Sequence, residues 1–328
     1  MKKTKKVSVV ICTYNGGKYL REQLDSIFNQ TYPLYEVYVQ DDCSTDNTIE
    51  IVRQYQQQHP CLRYLINETN KGINENFFSA LHSVSGDYIA ISDQDDIWMP
   101  EKIEKQMEQI GDHLLCFCRS KPFSSDGSAI HFDKEPSQYS LEHLIFVSAI
   151  SGHTMLLNKK ILPLIPCNHP THYVYDASIA ITASLYDSIV FLNEFLCHHR
   201  RFASAATFLP PRNYQKSLSN IIRIFFTSFS IFRSLKGLVK EHYAALTSYI
   251  ESHGITTPQV EDCKKVTQWL SRQSLGAQLQ ISRWCIKHRD LIFYKKETNP
   301  LLAWGRAALF PILLYQYWDY LMPSVEDA

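Results

Sequence analysis

The chain has no excess of charge of either sign: 33 Lys and Arg face 33 Asp and Glu in 328 residues. Such a balance argues against a nucleic-acid polymer held by bulk charge. Glycine and proline are scarce, at 11 and 14, which excludes collagen-like and linker-like chains. No run of about 20 apolar residues is free of charge, so no spanning helix is expected. The nearest, 301–322, contains Arg306, Pro311, Gln316 and Asp319 and reads as an interfacial helix. The apolar run Val7–Cys12 is too short for a secretory h-region. The nine cysteines are odd in number and scattered, which is not a disulfide framework. Both features lead us to expect a cytoplasmic, reducing compartment. Cys116 and Cys118 have no second ligand pair, so they read as buried thiols on a strand rather than zinc ligands.

What is present is an alternation of periods. Val7–Cys12, Tyr35–Gln40, Leu62–Ile66 and Asp87–Ser92 are short β-branched or apolar runs. Between and after them, 19–29, 46–58, 73–84 and 100–110 carry apolar residues at helical spacing. Repeated βα units predict an α/β fold, a mostly parallel sheet with helices on both faces. Short strands and a helix near 176–186 follow, and from Tyr214 the pattern is mainly helical. We expect a catalytic domain over 1–211 and a helical, basic and amphipathic region over 212–328, with the boundary at Pro210-Pro211-Arg-Asn213. Zero net charge hides a split: 18 basic against 24 acidic residues in the first part, 15 against 9 in the second.

In an open α/β sheet, ligands gather at the carboxyl ends of the strands. Three polar clusters fall there: Thr13-Tyr14-Asn15-Gly16-Gly17, Asp41-Asp42-Cys43-Ser44-Thr45-Asp46 and Asp93-Gln94-Asp95-Asp96. Carboxylates crowded at a strand end repel one another unless a cation sits among them, and oxygen donors suit Mg²⁺ or Mn²⁺. The segments Val7–Gly16, Gln40–Thr48 and Ser92–Pro100, in this order over roughly residues 5–205, resemble the family 2 nucleotide-sugar glycosyltransferases of GT-A fold. The form Asp93-Gln-Asp-Asp-Ile-Trp98 is most similar to the bacterial rhamnosyltransferase-like branch.

That resemblance implies roles for single residues. Asp42 would read the ring nitrogen of the donor pyrimidine, with Thr13, Tyr14 and Asn15 forming the wall around the base. Asp93 and Asp95 match the Asp-x-Asp motif that holds Mn²⁺ or Mg²⁺, Asp95 directly and Asp93 nearer the ribose. Asn70, Gly72 and Asn76 match a loop and helix start bordering the donor, where a phosphate-binding helix N-terminus and a packing role are equally reasonable. Gly152 and His153 match the acceptor side, and Asp176 matches the catalytic base of an inverting transfer. As a residue, Asp176 also suits a helix N-cap. Arg200 would stabilise the departing diphosphate. The chain departs from the family at Phe202 and Ala205, where relatives carry His and Asn. Gln280-Ile-Ser-Arg-Trp284 spells a processive-synthase motif without that class's spanning helices, and we take it as coincidence.

The expected partners are a dTDP- or UDP-sugar and a saccharide acceptor, lipid-linked, in bacterial surface polysaccharide synthesis. Between Arg212 and Lys240 lie six basic residues and no acid, interleaved with aromatics. This fits either an anionic membrane surface or helices packed on the catalytic body with a solvated basic face. Two other readings stay open: an impaired sugar-nucleotide-binding scaffold subunit at the membrane, and a nucleotidyltransferase. The latter would carry a Gly-rich basic phosphate loop where Thr13–Gly17 stands.

Overall fold

The computed structural model describes residues 5–127, 139–147, 150–165, 174–202, 218–293 and 298–326. The expected boundary at 210–213 and Ala205 lie outside them.

The β-branched run of the first strand, β1 (Val7–Thr13), is buried along its whole length. It pairs in parallel with β2 (Glu36–Asp41) on one side and β4 (Tyr88–Ser92) on the other, and β2 pairs in parallel with β3 (Leu62–Ile66). Period-two alternation divides each strand between two cores. Val7, Val9 and Ile11 meet helices α1 (Leu20–Phe28), α2 (Thr48–Gln58) and α4 (Lys102–Ile110), which bring Leu24, Val52 and Ile103. Val10 and Cys12 face the opposite core, with Phe77 and Leu81 of α3 (Gly72–His82).

The second half makes the sheet mixed. Its order is β3-β2-β1-β4-β7-β6-β8-β5. Strand β7 (Met155–Asn158) runs antiparallel between β4 and β6 (Leu115–Ser124), and β8 (Ile189–Arg201) lies parallel to β6. The two-residue β5 (Ile97–Trp98) leaves the acidic loop after β4 and closes the far edge against β8. This excursion carries the loop 93–96 across the carboxyl end of the sheet. Cys116 and Cys118 are buried on β6, as expected, and the eight described cysteines are free.

The C-terminal helices are α7 (Leu218–Ser252), α8 (Pro258–Arg272), α9 (Leu275–Lys287), α10 (Arg289–Ile292) and α11 (Pro300–Glu326). Local capping punctuates them: Thr257 accepts from Val260 N with Pro258 in the first turn, and Ser274 accepts from Ala277 N. They pack against α5 (Leu141–Leu144) and α6 (Tyr175–Leu185). The Tyr249 hydroxyl meets Thr182 Oγ1 at 2.5 Å, and Gln259 donates to Glu142 at 2.9 Å. One apolar core runs from Val10 through Ile179 to Trp318. Tyr315 and Trp318, expected on an interfacial face, are buried in it, because α11 is covered by α7 and α9. Trp284 is likewise core, against Phe146. No helix among the described residues is long and apolar enough to cross a membrane.

Candidate active site

The three clusters at the strand ends are one hydrogen-bonded structure. Thr13 Oγ1 donates to Asp41 Oδ1 at 2.7 Å, tying β1 to β2. Asn15, with φ 49°, accepts from Thr45 N at 2.8 Å and donates its own N–H to Ser44 Oγ at 2.8 Å. Gln94 then clasps the first loop to the third. Its Oε1 accepts from Tyr14 N at 2.9 Å, and its Nε2 donates to Tyr14 O at 3.1 Å. Sequence reasoning passed over Gln94 as the spacer of Asp-x-Asp. An amide side chain beside two acids gives no signal of its own.

Tyr14 is half-exposed and leaves a ring face open at this edge, whereas Thr13 is buried. Asp42 is buried, and its carboxylate accepts from Asn67 Nδ2 at 2.8 Å, Lys71 N at 2.8 Å and Gly72 N at 2.9 Å. The left-handed φ of 77° at Gly72 turns the chain so that these amides face Asp42. Asn70 Oδ1 also accepts from Gly72 N, at 3.0 Å. The first amides of α3 therefore meet an internal carboxylate, which already complements the helix N-terminus. Asn76 is buried beneath, donating to Gln40 O and accepting from Asn67, so it supports Asp42 from below.

The acidic loop is crowded. Burial, then the Asp96 and Asp93 charges, pushes the Asp95 carboxyl up to about 8. Burial pushes Asp96 up to about 6. Asp96 accepts from Arg200 N at 3.0 Å, while Arg200 Nε donates to the Asp95 carbonyl at 2.7 Å. The Arg200 guanidinium is buried, bonded to Glu22 at 2.8 Å and stacked 4.3 Å from the Tyr19 ring and 4.7 Å from Phe123. Through its Nε and Nη2 bonds and its two ring contacts the side chain braces the acidic loop. Phe202 packs on Tyr19 with ring centroids 5.2 Å apart.

His153 reaches the acidic loop. It is 2 % exposed, and its Nδ1 lies 3.3 Å from Asp93 and 3.7 Å from Asp96. Burial alone would lower its pKa, but Asp96 and Asp93 outweigh it and raise it. The ring lies 4.4 Å from His199, whose pKa burial and the neighbouring His153 lower. His153 thus contacts the acidic loop. Gly152 N donates to Asp176 Oδ2 at 3.3 Å. A Cβ at Gly152 would run into the Tyr175 hydroxyl. Tyr175 stacks on Phe77 at 3.9 Å, and its N–H donates to Asn74 Oδ1 at 2.7 Å.

Asp176 lies in the first turn of α6, where Val174 is the N-cap residue, so the N-cap reading falls. Its Oδ1 is shut off from solvent with no partner among the described residues. Burial, and secondarily Asp93, pushes its carboxyl up to about 6. A carboxyl with one free oxygen and a pKa near neutrality suits a proton acceptor. The donor set beside it fits a hard divalent cation: Asp93 and Asp95 offer oxygen ligands, and the repulsion that raises Asp95 is what such a cation relieves. Asp96, His153 and Cys197 also bring ligand atoms within 4.8 Å of one another. They sit below Asp93 and Asp95, fully buried, with Asp96 already bonded to Arg200 N.

Comparison with known proteins gives a consistent result. The family described as Glycosyl transferase family 2 matches residues 8–180. The dTDP-rhamnosyl transferase RfbG of Shigella flexneri is 32% identical over 164 residues, 46% of this chain and 55% of that protein. The putative teichuronic acid biosynthesis glycosyltransferase TuaG of Bacillus subtilis is 36% identical over 111 residues, 34% of this chain and 44% of that one. The chain thus spans about half the length of these curated relatives. Among solved structures, S. aureus TarS 1-349 in complex with UDP-GlcNAc aligns with a TM-score of 0.54 at 19% identity, covering 83% of this chain and 89% of that one. The mannosyltransferase PcManGT from Pyrobaculum calidifontis, in complex with GDP-Man and Mn2+, aligns with a TM-score of 0.53 at 19% identity, covering 99% and 88%. At that identity the likeness is one of fold, the GT-A arrangement.

Proposed function

The chain belongs to glycosyl transferase family 2, and on that premise we propose that it catalyses inverting transfer of a sugar from a nucleotide-diphosphate donor to a saccharide acceptor. The observation that carries this reading is the meeting of Asp42, Asp93, Asp95 and Asp176 at one edge of the sheet, three of them bound or crowded and Asp176 with a free oxygen. Tyr14 flanks the base. Asp42, fixed by three donors, accepts from the pyrimidine ring N–H. Asp93 and Asp95 would hold Mn²⁺ or Mg²⁺. When bound, the cation supplies positive charge against the departing diphosphate. Asp176 takes the acceptor hydroxyl proton as that oxygen bonds the anomeric carbon. The bond from that carbon to the diphosphate oxygen breaks on the opposite face, and the electron pair leaves with the diphosphate. Arg200 and His153 hold the acidic loop in place for this step.

The resemblance to a protein named for dTDP-rhamnosyl transfer favours a dTDP-sugar, with UDP-sugars next. Relatives named for teichuronic acid synthesis favour a surface-polysaccharide acceptor. A lipid-linked acceptor would place the enzyme peripherally at the inner face of the cytoplasmic membrane. The test is a thermal-shift screen of dTDP-, UDP- and GDP-sugars with Mn²⁺, followed by transfer assays of Asp176→Asn. A donor-dependent rise in Tm that Asp95→Ala abolishes and Asp176→Asn keeps is expected, with transfer lost in both. Wild-type transfer by Asp176→Asn would overturn the assignment of the base.

A further inference from the structure

Helices α9 and α11 lie antiparallel: Gln273 Nε2 bonds Tyr315 Oη at 3.2 Å at one end, and Ser282 Oγ bonds Ala308 O at 2.7 Å midway. Continuing that register sets the last turn of α9 beside the first turn of α11. Their inner faces are core, with Ile281, Trp284, Ala307 and Leu314 buried. Their outer faces are not. Leu275 and Leu279 are 87 % and 63 % exposed, and Arg283 and Lys287, which follow at the same four-residue spacing, are exposed too. One stripe of α9 is thus apolar in its first half and basic in its second. Beside the basic half, α11 begins with Leu301 at 81 % and Trp304 at 56 % exposed.

The charge of the pair is one-sided. Helix α9 contains no acidic residue, and neither does 300–318 of α11, while Arg283, Lys287 and Arg306 are present. A surface for another protein's apolar groove would gain nothing from keeping acids out of α9 and of 300–318. An anionic lipid interface requires it, since each basic residue near such a surface adds about 1 kcal/mol and each acid opposes it. Large exposed leucines flanking a tryptophan are the other half of that pattern, because Trp settles at the headgroup level with Leu below it. We propose that the outer face of the α9–α11 pair seats on an anionic bilayer. This deepens the peripheral placement above and names the contact surface; it is independent of the transfer chemistry. It also moves that surface away from the aromatic half of α11, whose Tyr315 and Trp318 are inside the core.

The experiment is flotation of the full chain, without donor or cation, with phosphatidylcholine vesicles and with vesicles containing about one third phosphatidylglycerol. The protein is expected to float with the anionic vesicles and not with the neutral ones. Binding should fall about tenfold for Leu279→Ser with Trp304→Ser, and again for Arg283→Gln with Lys287→Gln, at unchanged Tm since all four side chains are exposed. The proposal is overturned by failure to float with anionic vesicles or by flotation of both variants equal to that of the wild type. It is also overturned by a wild-type dimer that Leu279→Ser with Trp304→Ser converts to monomer, since a second copy would then cover the face. Because no donor is present, any of these results leaves the test of Asp176 untouched.

Discussion

At the scale of single residues, the site is governed by carboxyls held away from their ordinary pKa. Asp176 must be ionised to accept a proton. With its carboxyl near 6, kcat should fall about tenfold per unit below that pH and level off above it. A profile flat down to pH 5 would remove Asp176 from the base role. Asp95, near 8, and Asp96, near 6, are raised well above an unfolded carboxyl. A raised carboxyl favours the folded state when protonated. Its contribution is therefore complete below the unfolded value and is lost as pH climbs through the folded one. The metal-free protein should lose Tm between pH 5 and 8. A divalent cation must displace the Asp95 proton, so the Tm gain from Mn²⁺ should be larger at pH 8 than at pH 6. Asp95→Asn should erase the gain at both; equal gains at pH 6 and 8 in the wild type would contradict this account. Crowding at a strand end drew attention to Asp93 and Asp95, whereas Asp176, at the start of α6, was singled out only by the family resemblance. The contacts of His153 and Arg200 were not legible, because they depend on which strands become neighbours. Their partners lie 57 to 178 residues away in the chain.

At the scale of elements, the working edge depends on contacts between loops. Gln94 joins the acidic loop to the Tyr14 loop through two hydrogen bonds. Removing both is worth about 1 to 3 kcal/mol of loop order, so Gln94→Ala should raise donor KM roughly ten- to hundredfold with kcat changed far less. A proportionate loss in kcat instead would place Gln94 at the reacting atoms. Gly152 is the converse case, a position defined by what it lacks. Gly152→Ala drives a methyl into the Tyr175 hydroxyl, and overpacking of that kind costs about 1 to 3 kcal/mol. Because Gly152 N also bonds Asp176, the same change should lower kcat, and a melt and a rate on one preparation check both. The first four strands and helices were legible to within two residues, since buried parallel strands are β-branched runs and their helices have clean apolar spacing. Strand β7 was not, because a four-residue antiparallel strand between β4 and β6 has no period that distinguishes it from loop.

At the scale of the whole molecule, the charge split suggested an acidic catalytic body and a basic helical region, either meeting an anionic surface or packed on that body. The structure joins them through one core. Strand residues Val10 and Ile89, α6 residues Ile179 and Ile181, and bundle residues Tyr243, Leu270 and Trp318 belong to the same apolar cluster. Composition reported the basic surface of the bundle correctly and could not report its inner face, because aromatics suited to a membrane interface are equally suited to a core. The consequence falls on α6. Asp176 opens this helix, and Thr182 is bonded to Tyr249 of α7. Tyr249→Phe should cost about 1 kcal/mol through the loss of the hydroxyl's bonds to Thr182 and to the Ser178 carbonyl. Tyr249→Ala should cost about 3 to 5 kcal/mol through the cavity as well, and should lower kcat more than donor KM, since it loosens the helix that carries the proposed base, Asp176, and leaves the donor loops intact. A chain ended at residue 211 goes further. It uncovers the apolar face of α6 and should bind a hydrophobic dye and melt without a cooperative transition. A sharp melt at the full-length Tm would instead show the bundle to be a separate domain.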